Sequence, residues 1–315
     1  MQVLQGQAEN NRTGINYIIK LGVSALLLFL IFRAVDLNEA LASLSKISVG
    51  IFALALVLQI SSNSVAAYRW YLIMRRIGSS QNFFFYLKSY FKGCFFNQGL
   101  PTSIGGDAIR ILDCSREPNS PQNAFYGVFI DRFVGLAGLL VLNIGALFFS
   151  GNILPPHIRF LLLSILTVML AVLVILLYLR KFNVFTRTKW LGFLGHLSER
   201  YAKVYSTPAS IIIQLGLSVI IHLMAMTAYY FLGVSVGLDY HLSVYLVLVP
   251  PVILLIILPI SFAGWGIREG AMMFFFLLVG ADGSKVFSLS IMYGITNLIG
   301  SLPGLFVYLV QKNRL

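Results

Sequence analysis

The chain has 315 residues, of which 58% are hydrophobic and only 11% are charged, and its mean hydropathy is +0.85. An average soluble domain carries roughly 25% charged residues, so this composition excludes a soluble protein and predicts an all-α polytopic membrane protein. Because each span needs about 20 residues, we treat residues 1–315 as a single transmembrane domain. The net charge of +12 does not indicate nucleic-acid binding, since the basic residues lie in short segments beside apolar spans.

Six apolar segments are long enough to cross a bilayer, and we predict that each is a full transmembrane helix. A typical signal peptide is shorter than the first of them, and no small-residue cleavage site follows it, so this segment should remain in the protein. The predicted spans are residues 15–32, 49–67, 122–150, 160–179, 210–232 and 287–310.

The distribution of basic residues predicts the orientation of these spans. A basic cluster at residues 69–76 follows the second span and places the next loop in the cytoplasm, whereas the loops 151–156 and 233–241 contain no Lys or Arg and are expected outside. Within the cluster, Arg69, Trp70 and Tyr71 are interpreted as an anchor at the membrane interface. We therefore predict a multi-pass protein of the cell (inner, cytoplasmic) membrane with both termini in the cytoplasm.

An eleven-residue element occurs twice in the chain. Residues 100–110 and 258–268 agree at six positions without a gap, and their offset of 158 residues (258 − 100) is about half of the chain. Each copy interrupts an apolar segment with proline, glycine and then arginine, which membrane spans normally exclude. Two broken segments at corresponding places are a sequence pointer to a transport site. The matched pairs are Leu100/Leu258, Pro101/Pro259, Ser103/Ser261, Gly106/Gly264, Ile109/Ile267 and Arg110/Arg268.

The two copies are predicted to form the turns of re-entrant helical hairpins, at about residues 83–112 and 242–280. The segment after each turn is too short to cross a hydrocarbon core of about 30 Å. Each half of the chain, about 15–150 and 158–311, then has three full spans and one hairpin. Because three is odd, the halves face opposite sides of the membrane. The sequence therefore predicts an inverted repeat, an architecture that recurs in transporters.

The hairpin turns carry residue types that suit an anion. Ser103 and Ser261 are predicted N-caps of the returning helices, whose positive ends attract negative charge. Arg110 and Arg268 follow within one to two turns, and arginine binds a phosphate with two hydrogen bonds. We therefore expect the two arginines to hold the phosphate of a lipid headgroup. Glycines in the turns would let the ligand approach the backbone; they are Gly105, Gly106, Gly264 and Gly266.

Acidic residues accompany the basic ones, and an unpaired charge at the bilayer centre costs about 2.5–3.5 kcal/mol. One interpretation is that the charges neutralise one another across the two hairpins and hold the halves together. The other is a polar headgroup cavity in which Asp107 or Glu269 faces a cationic group of the substrate. Asn97, Gln98 and Asn297 could add hydrogen bonds to a ligand or join helices. The six charged residues are Asp107, Arg110, Asp131, Arg132, Arg268 and Glu269.

Three motifs can be compared with known families: N-x-G-L-P-x-S-x-G-G-D-x-x-R at residues 97–110, D-R-x-x-G-L at 131–136, and L-P-x-S-x-x-G-x-G-x-R-E at 258–269. In this order they resemble the lysylphosphatidylglycerol synthase transmembrane region family, the flippase-like part of the multiple peptide resistance factor. The resemblance covers nearly the whole chain. It implies a protein that moves a phospholipid or a lipid-linked headgroup between leaflets.

The resemblance also limits the expected chemistry. Bifunctional members carry a soluble aminoacyl transferase domain, which these 315 residues do not contain, so lysine transfer from a charged tRNA is not expected. The family also includes stand-alone proteins linked to archaeal glycolipid and bacterial hopanoid pathways, so lysylphosphatidylglycerol is one cargo among several. The expected partners are membrane lipids, either an anionic or zwitterionic phospholipid or a lipid-linked intermediate, and not nucleic acid.

Three functions are compatible with these features. The leading hypothesis is a lipid flippase that works by alternating access, without a cofactor, a metal or a catalytic residue. The second is an intramembrane transferase that uses a polyprenyl-phosphate or lipid donor, with Asp107 or Glu269 as general base. The third is a membrane scaffold without transport. No P-loop, nucleophile elbow, zinc-protease motif or dinucleotide-binding motif is present.

Overall fold

The computed structural model describes residues 22–31, 33, 35–45, 47–99, 105–115, 121–151, 153–176, 192–258, 261 and 263–312. These residues form twelve helices and no strand, which confirms the all-helical fold class. The helices are α1 (Gly22–Ile31), α2 (Leu37–Ser45), α3 (Val49–Ile77), α4 (Phe83–Gly99), α5 (Gly105–Ser115), α6 (Pro121–Phe149), α7 (Pro156–Leu176), α8 (Gly192–Val204), α9 (Pro208–Ser235), α10 (Leu242–Ile257), α11 (Ile267–Leu277) and α12 (Gly283–Lys312).

Five helices, α3, α6, α7, α9 and α12, are long and apolar enough to cross a membrane. The shortest of them, α7, has 21 residues, or about 32 Å at about 1.5 Å per residue, which matches a hydrocarbon core of about 30 Å. Large apolar side chains such as Phe160 and Val168 on α7 are exposed, as expected of a surface that contacts lipid. Of the sixth predicted span, residues 15–32, the structure describes only α1.

Helix α3 continues well beyond its predicted end at residue 67. The hydroxyl of Ser48 caps its first turn by accepting a backbone N–H at 3.1 Å. Gly78 ends it in the left-handed conformation, with φ of 106°. No proline or glycine lies between residue 51 and Gly78. The predicted span end at residue 67 is therefore not the end of the helix, which continues past the first basic residue, Arg69, to Ile77.

Helices α4 and α5 pack antiparallel. The side-chain oxygen of Asn97, near the end of α4, accepts a hydrogen bond from the Gly106 amide at the start of α5, at 2.7 Å. Lys92, more than one turn earlier in α4, forms a 2.6 Å ion pair with Asp113 near the end of α5. Gly106 also lies against the backbone of Gly93 in α4, where a methyl group would have no room. The two glycines therefore set the close approach of the helices.

Helices α10 and α11 form a second antiparallel pair. The rings of Tyr245, in the first turn of α10, and Phe276, in the last turn of α11, have centroids 5.4 Å apart. At the other end, Ile256 of α10 packs against Gly264, just before α11. The chain thus contains two short helical pairs at the positions where the sequence predicted hairpins.

The long helices α3 and α9 form an antiparallel pair in the middle of the molecule. The Ser62 hydroxyl donates to the carbonyl of Ile221 at 3.2 Å, and the Gln214 amide donates to the carbonyl of Arg69 at 3.5 Å. Helices α6 and α12 each contact both α3 and α9. On the outside of this four-helix group, α4 packs against α12 and α10 packs against α6.

The buried apolar residues form two large clusters. One lies among α6, α7, α9, α10, α11 and α12 and includes Met226, Leu248 and Phe276. The other lies between α3, α4, α6 and α8 and includes Trp70 and Tyr86. The second cluster adjoins the charged residues of the first half, because Trp70 directly follows Arg69 on α3.

Candidate functional site

The repeated elements lead into α5 and α11, and the structure describes the predicted serine cap only for the second of them. Ser103 lies outside the described residues, and Gly105 is the first residue of α5. Ser261 is buried, at 5% exposure, and lies five residues before Gly266, which directly precedes α11. The Gly266 amide instead donates to the Glu269 carboxylate at 2.6 Å. The prediction of Ser261 as N-cap was wrong, because α11 begins at Ile267 and Gly266 occupies the N-cap position.

The glycines of the repeated elements serve the backbone and the packing. Gly264 and Gly266 have φ of 81° and 85°, which side-chain-bearing residues rarely adopt. Gly106 is packed against Gly93, and its amide is bound by Asn97. The amides of Gly106 and Gly266 are thus already hydrogen-bonded within the protein.

Three arginines and two aspartates of the first half form a continuous chain of ion pairs. Asp131 contacts Arg69 at 2.9 Å and Arg110 at 2.7 Å. Asp107 contacts Arg110 at 3.1 Å and Arg132 at 2.7 Å. The order Arg69, Asp131, Arg110, Asp107, Arg132 alternates in sign and joins α3, α5 and α6. It carries one net positive charge.

Arg69 belongs to the chain of ion pairs, so its prediction as an interfacial anchor was wrong. The residue is 5% exposed, and its guanidinium donates to Asp131 at 2.9 Å and to the hydroxyl of Ser218 on α9 at 2.8 Å. Its neighbour Trp70 is fully buried. Because α3 continues past residue 67, Arg69 is part of this helix, and its side chain faces α6 and α9. A polar stripe on one face of α3 is the signal that could have shown this: Gln59, Ser62, Asn63 and Arg69.

Arg110 lies at the centre of the ion-pair chain and is 4% exposed. Its terminal nitrogens bind Asp107 and Asp131. Its Cζ lies 4.1 Å from the ring centroid of Trp70 and 4.7 Å from that of Tyr90, positions at which an aromatic face attracts a cation. Of its three side-chain nitrogens, Nε has no hydrogen-bond partner among the described residues. Arg110 is therefore fixed mainly by protein groups.

The second half has a smaller charged cluster. Arg268 binds Glu269 at 2.6 Å and the hydroxyl of Ser290 at 3.2 Å, and its Cζ lies 4.5 Å from the centroid of a Trp265 ring. Glu269 is completely buried; one of its oxygens binds Arg268 and Ser290, and the other binds the Gly266 amide. Between described residues, the ion pairs of these charges thus form within each half, between neighbouring groups, whereas one interpretation expected them across the two hairpins.

Two adjoining cavities lie where the halves meet. The first, which we name the central cavity, has a volume of about 370 Å³ and lies among α3, α4, α6, α9, α10, α11 and α12. The second, the adjoining cavity, has about 360 Å³ and is bounded by α3 to α6, α9 and α10. Arg268 lines the central cavity, whereas Arg110 and Asp131 line the adjoining one. Arg132 and His222 line both.

Arg132 is the most accessible of the paired arginines. Its side chain is 49% exposed, whereas those of Arg110 and Arg268 are 4% and 6% exposed. Its Nε donates to Asp107, which also binds Arg110. The guanidinium of Arg132 is therefore the one best placed to meet a ligand that enters either cavity.

The remaining lining of the central cavity is rich in amide side chains. The sequence pointed to Asn97, Gln98 and Asn297, and all three line it. Gln59 and Asn63, on the polar stripe of α3, line it as well and had not been singled out. Asp107 and Glu269 are not among the described lining residues of either cavity.

A comparison with known protein families gives a match over most of the chain. The model of the family described as lysylphosphatidylglycerol synthase TM region matches residues 17–304, nearly the whole chain. This range includes both charged clusters and every described residue that lines the two cavities. No curated protein matches the chain in sequence. The chain belongs to the lysylphosphatidylglycerol synthase TM region family.

Proposed function

We propose that this membrane protein is a lipid flippase, which moves a phosphate-bearing lipid headgroup between leaflets through the central cavity. The observation that carries the proposal is the cavity itself, about 370 Å³ between the two halves and lined by Arg132 and Arg268. A polar cavity with two guanidinium groups in a chain of apolar helices would accept a phosphate while the acyl chains stay in the lipid.

The phosphate contacts are divided differently from the first expectation, which paired Arg110 with Arg268. Arg132 and Arg268 line the same cavity, so these two are proposed to hold the phosphate. Arg110 has both terminal nitrogens on carboxylates and is assigned to positioning, since through Asp107 it orients Arg132.

An inverted repeat would let the cavity open to each side in turn. By the sequence offset, α3 to α6 correspond to α9 to α12. Corresponding pairs make corresponding contacts: α4 with α12 as α10 with α6, and α5 with α6 as α11 with α12. The equivalent helices α3 and α9 are antiparallel and touch at Ser62 and Ile221, 159 residues apart (221 − 62). An axis that relates two antiparallel spans lies in the membrane plane, which supports the inverted arrangement.

In this proposal the short pairs α4/α5 and α10/α11 are the re-entrant hairpins that gate the cavity from opposite sides. Each pair reaches it with polar groups, Asn97 and Gln98 from the first and Ser261 and Arg268 from the second. The protein would lie in the cytoplasmic membrane with both termini on the cytoplasmic side.

The transferase alternative is weakened by the positions of its proposed bases. A general base must lie within hydrogen-bond reach of the proton that it removes. Asp107 binds two arginines, and Glu269 is completely buried with both oxygens bound. The scaffold alternative differs from the flippase in one result: it predicts no exchange of lipid between leaflets.

The test is lipid exchange in proteoliposomes that contain phosphatidylglycerol with a fluorescent acyl chain. A membrane-impermeant reductant bleaches the outer leaflet, and lipid movement appears as bleaching of the inner pool. We expect exchange with the wild-type protein and about 10- to 100-fold slower exchange with Arg132→Gln, because a hydrogen bond to a charged group contributes about 1.5–3 kcal/mol. Arg132→Gln is chosen since Asp107 keeps Arg110 as partner.

The matched control is Arg159→Gln on α7, an arginine that bonds to the carbonyl of Gly151 and does not line either cavity. It should exchange lipid at the wild-type rate. Exchange no faster than in protein-free vesicles, or equal rates for Arg132→Gln and wild type, would count against the proposal.

A further inference from the structure

The central cavity contains no acidic lining residue in the part of the chain that the structure describes. Its charged lining residues are Arg132 and Arg268, and its other polar groups include five amide side chains. An ammonium group next to either guanidinium would be repelled, because like charges that are partly removed from water repel more strongly than in bulk solvent. A cationic headgroup would meet this repulsion without a carboxylate to offset it.

The carboxylates nearest in sequence to the two arginines are already engaged. Asp107 has one oxygen on Arg110 and the other on Arg132. Glu269 has one oxygen on Arg268 and Ser290 and the other on a backbone amide. The negative charge of each carboxylate is therefore already balanced by an arginine within the protein.

The aromatic residues of the cavity do not form a cage for a cation. Recognition of an ammonium group by aromatic rings requires ring faces directed at the cation. Tyr229 and Tyr293 stack on each other, with centroids 3.6 Å apart and planes inclined by 17°. The Tyr293 hydroxyl donates to Gln59 at 3.3 Å. These rings therefore pack together and do not converge on a ligand.

Several neutral polar groups of the cavity have no partner in the described structure. The hydroxyl of Ser261 is buried and makes no hydrogen bond, although the residue is only 5% exposed. The half-buried side chains of Asn63, Gln98 and Asn297 line the cavity and make no hydrogen bond with another described side chain or backbone group. Buried polar groups are normally satisfied by protein, water or ligand.

Amide and hydroxyl groups both donate and accept hydrogen bonds, as the hydroxyls of glycerol or a sugar do. An ammonium group only donates. We infer that the central cavity selects a lipid whose phosphate carries a neutral, hydroxyl-rich group, glycerol or a sugar, and discriminates against amino-bearing headgroups. The inference rests on the proposed function, because it assumes that the cavity holds a phosphate lipid.

Binding tests the inference independently of transport. Purified protein in detergent is titrated with fluorescent phosphatidylglycerol, which is then displaced by unlabelled phosphatidylglycerol, phosphatidylethanolamine, lysylphosphatidylglycerol or soluble glycerol phosphate. We expect phosphatidylglycerol to displace at concentrations at least about 10-fold lower than either amino lipid. Displacement by an amino lipid at equal concentrations would overturn the inference. Displacement by glycerol phosphate as effectively as by lipid would overturn the lipid as the source of the headgroup.

Two substitutions sharpen the result. Asn297→Asp places a carboxylate in the cavity with almost unchanged shape and should shift the preference towards the amino lipids by about 10-fold or more. Asn38→Asp, on exposed α2 and outside the cavity lining, is the matched control and should leave the preference unchanged. An unchanged preference in Asn297→Asp would contradict the assignment of the cavity.

Ser261→Ala separates a ligand contact from a structural role. Because the hydroxyl has no partner among the described residues, its loss should leave the unfolding temperature unchanged or higher while phosphatidylglycerol binding weakens about two- to tenfold. Unchanged binding would overturn the role of Ser261. Preferential binding without lipid exchange in vesicles would support the headgroup inference and contradict the flippase proposal.

Discussion

Arg110 and Asp131 lie 2.7 Å apart at the point where α5 meets α6, and both side chains are almost completely buried. Asp131 also binds Arg69 of α3, and Arg110 also binds Asp107. Each member of this central pair therefore has a second partner of opposite charge. The pairing explains how helices surrounded by apolar residues can carry buried arginines, since each charge is balanced by a neighbour of opposite sign and breaking such a pair is costly.

Replacing Asp131 should destabilise the fold. Asp131→Asn keeps the shape of the side chain but leaves Arg69 and Arg110 without their shared carboxylate. Removing one partner of a buried ion pair costs about 3–5 kcal/mol, so we expect a clearly lower unfolding temperature in detergent. Unfolding is measured by tryptophan fluorescence, or by size-exclusion chromatography after heating.

The control for this substitution is Asp239→Asn, an exposed residue between α9 and α10 for which the structure gives no ion pair. It should change stability by less than about 0.5 kcal/mol. Equal melting of the two variants would show that the ion-pair chain does not stabilise the helices.

Much of the fold follows from the sequence, because span length and apolar content are local properties. The helices α6, α7, α9 and α12 begin and end within about four residues of the predicted spans. The predicted hairpin segments 83–112 and 242–280 each contain an antiparallel pair of short helices. The repeated arginines marked both charged clusters, since arginine in a broken apolar segment needs a local reason.

The partners of those arginines were harder to predict, because they depend on which helix faces which. Asp131 lines the adjoining cavity, but its two arginine partners, Arg69 and Arg110, could not be inferred from the sequence. Arg69 was assigned to the membrane surface, since the distance in sequence to Asp131 gives no sign that the two meet. Tyr90 and Trp70, which enclose Arg110, carry no sequence motif that would set them apart from other aromatic residues.

Close packing of α4 on α5 makes a second prediction. Gly106→Ala would place a methyl group into the backbone of Gly93, which cannot move without separating the helices. Overpacking of this kind costs roughly 1–3 kcal/mol or more, and separation of α4 from α5 would also move Asp107. We expect lower thermal stability together with slower lipid exchange.

Gly145→Ala on α6 is the matched control, because it is also a helical glycine but has open space around the added methyl group. Alanine favours a helix over glycine by about 1 kcal/mol, so this variant should be as stable as the wild type or slightly more stable. If Gly106→Ala behaved in the same way, the glycine contact would not determine the approach of α4 to α5.

A third prediction concerns Lys92, which forms a 2.6 Å ion pair with Asp113 and donates to Gln311 at 2.8 Å. These contacts tie α4 to α5 and to the end of α12. Lys92→Met and Asp113→Leu should each destabilise the protein, because each leaves a largely buried partner unpaired. The double variant should be less destabilised than the sum of the two, with a coupling of about 1–3 kcal/mol.

The stabilities of the two single variants and of the double variant are compared through their unfolding temperatures in detergent. Lys88→Met, one turn earlier on α4 and exposed, is the control and should have little effect. Additive single and double variants would show that Lys92 and Asp113 do not stabilise each other.

The last prediction tests the arrangement of the halves by cysteine labelling in intact cells. Because α3 and α9 pack antiparallel, the end of α3 and the start of α9 lie on one side of the membrane. In a background with Cys94 and Cys114 replaced, Ser80→Cys and Ser206→Cys should react only with a membrane-permeant reagent, whereas Asp239→Cys should also react with an impermeant one. Positive charge near residues 80 and 206 gives the physical reason, since basic loops stay in the cytoplasm.

Labelling of residues 80 and 206 from opposite sides would contradict α3 and α9 as antiparallel spans. Labelling of residue 239 from the same side as both would contradict α9 as a full span, and with it the odd number of crossings on which the inverted repeat depends.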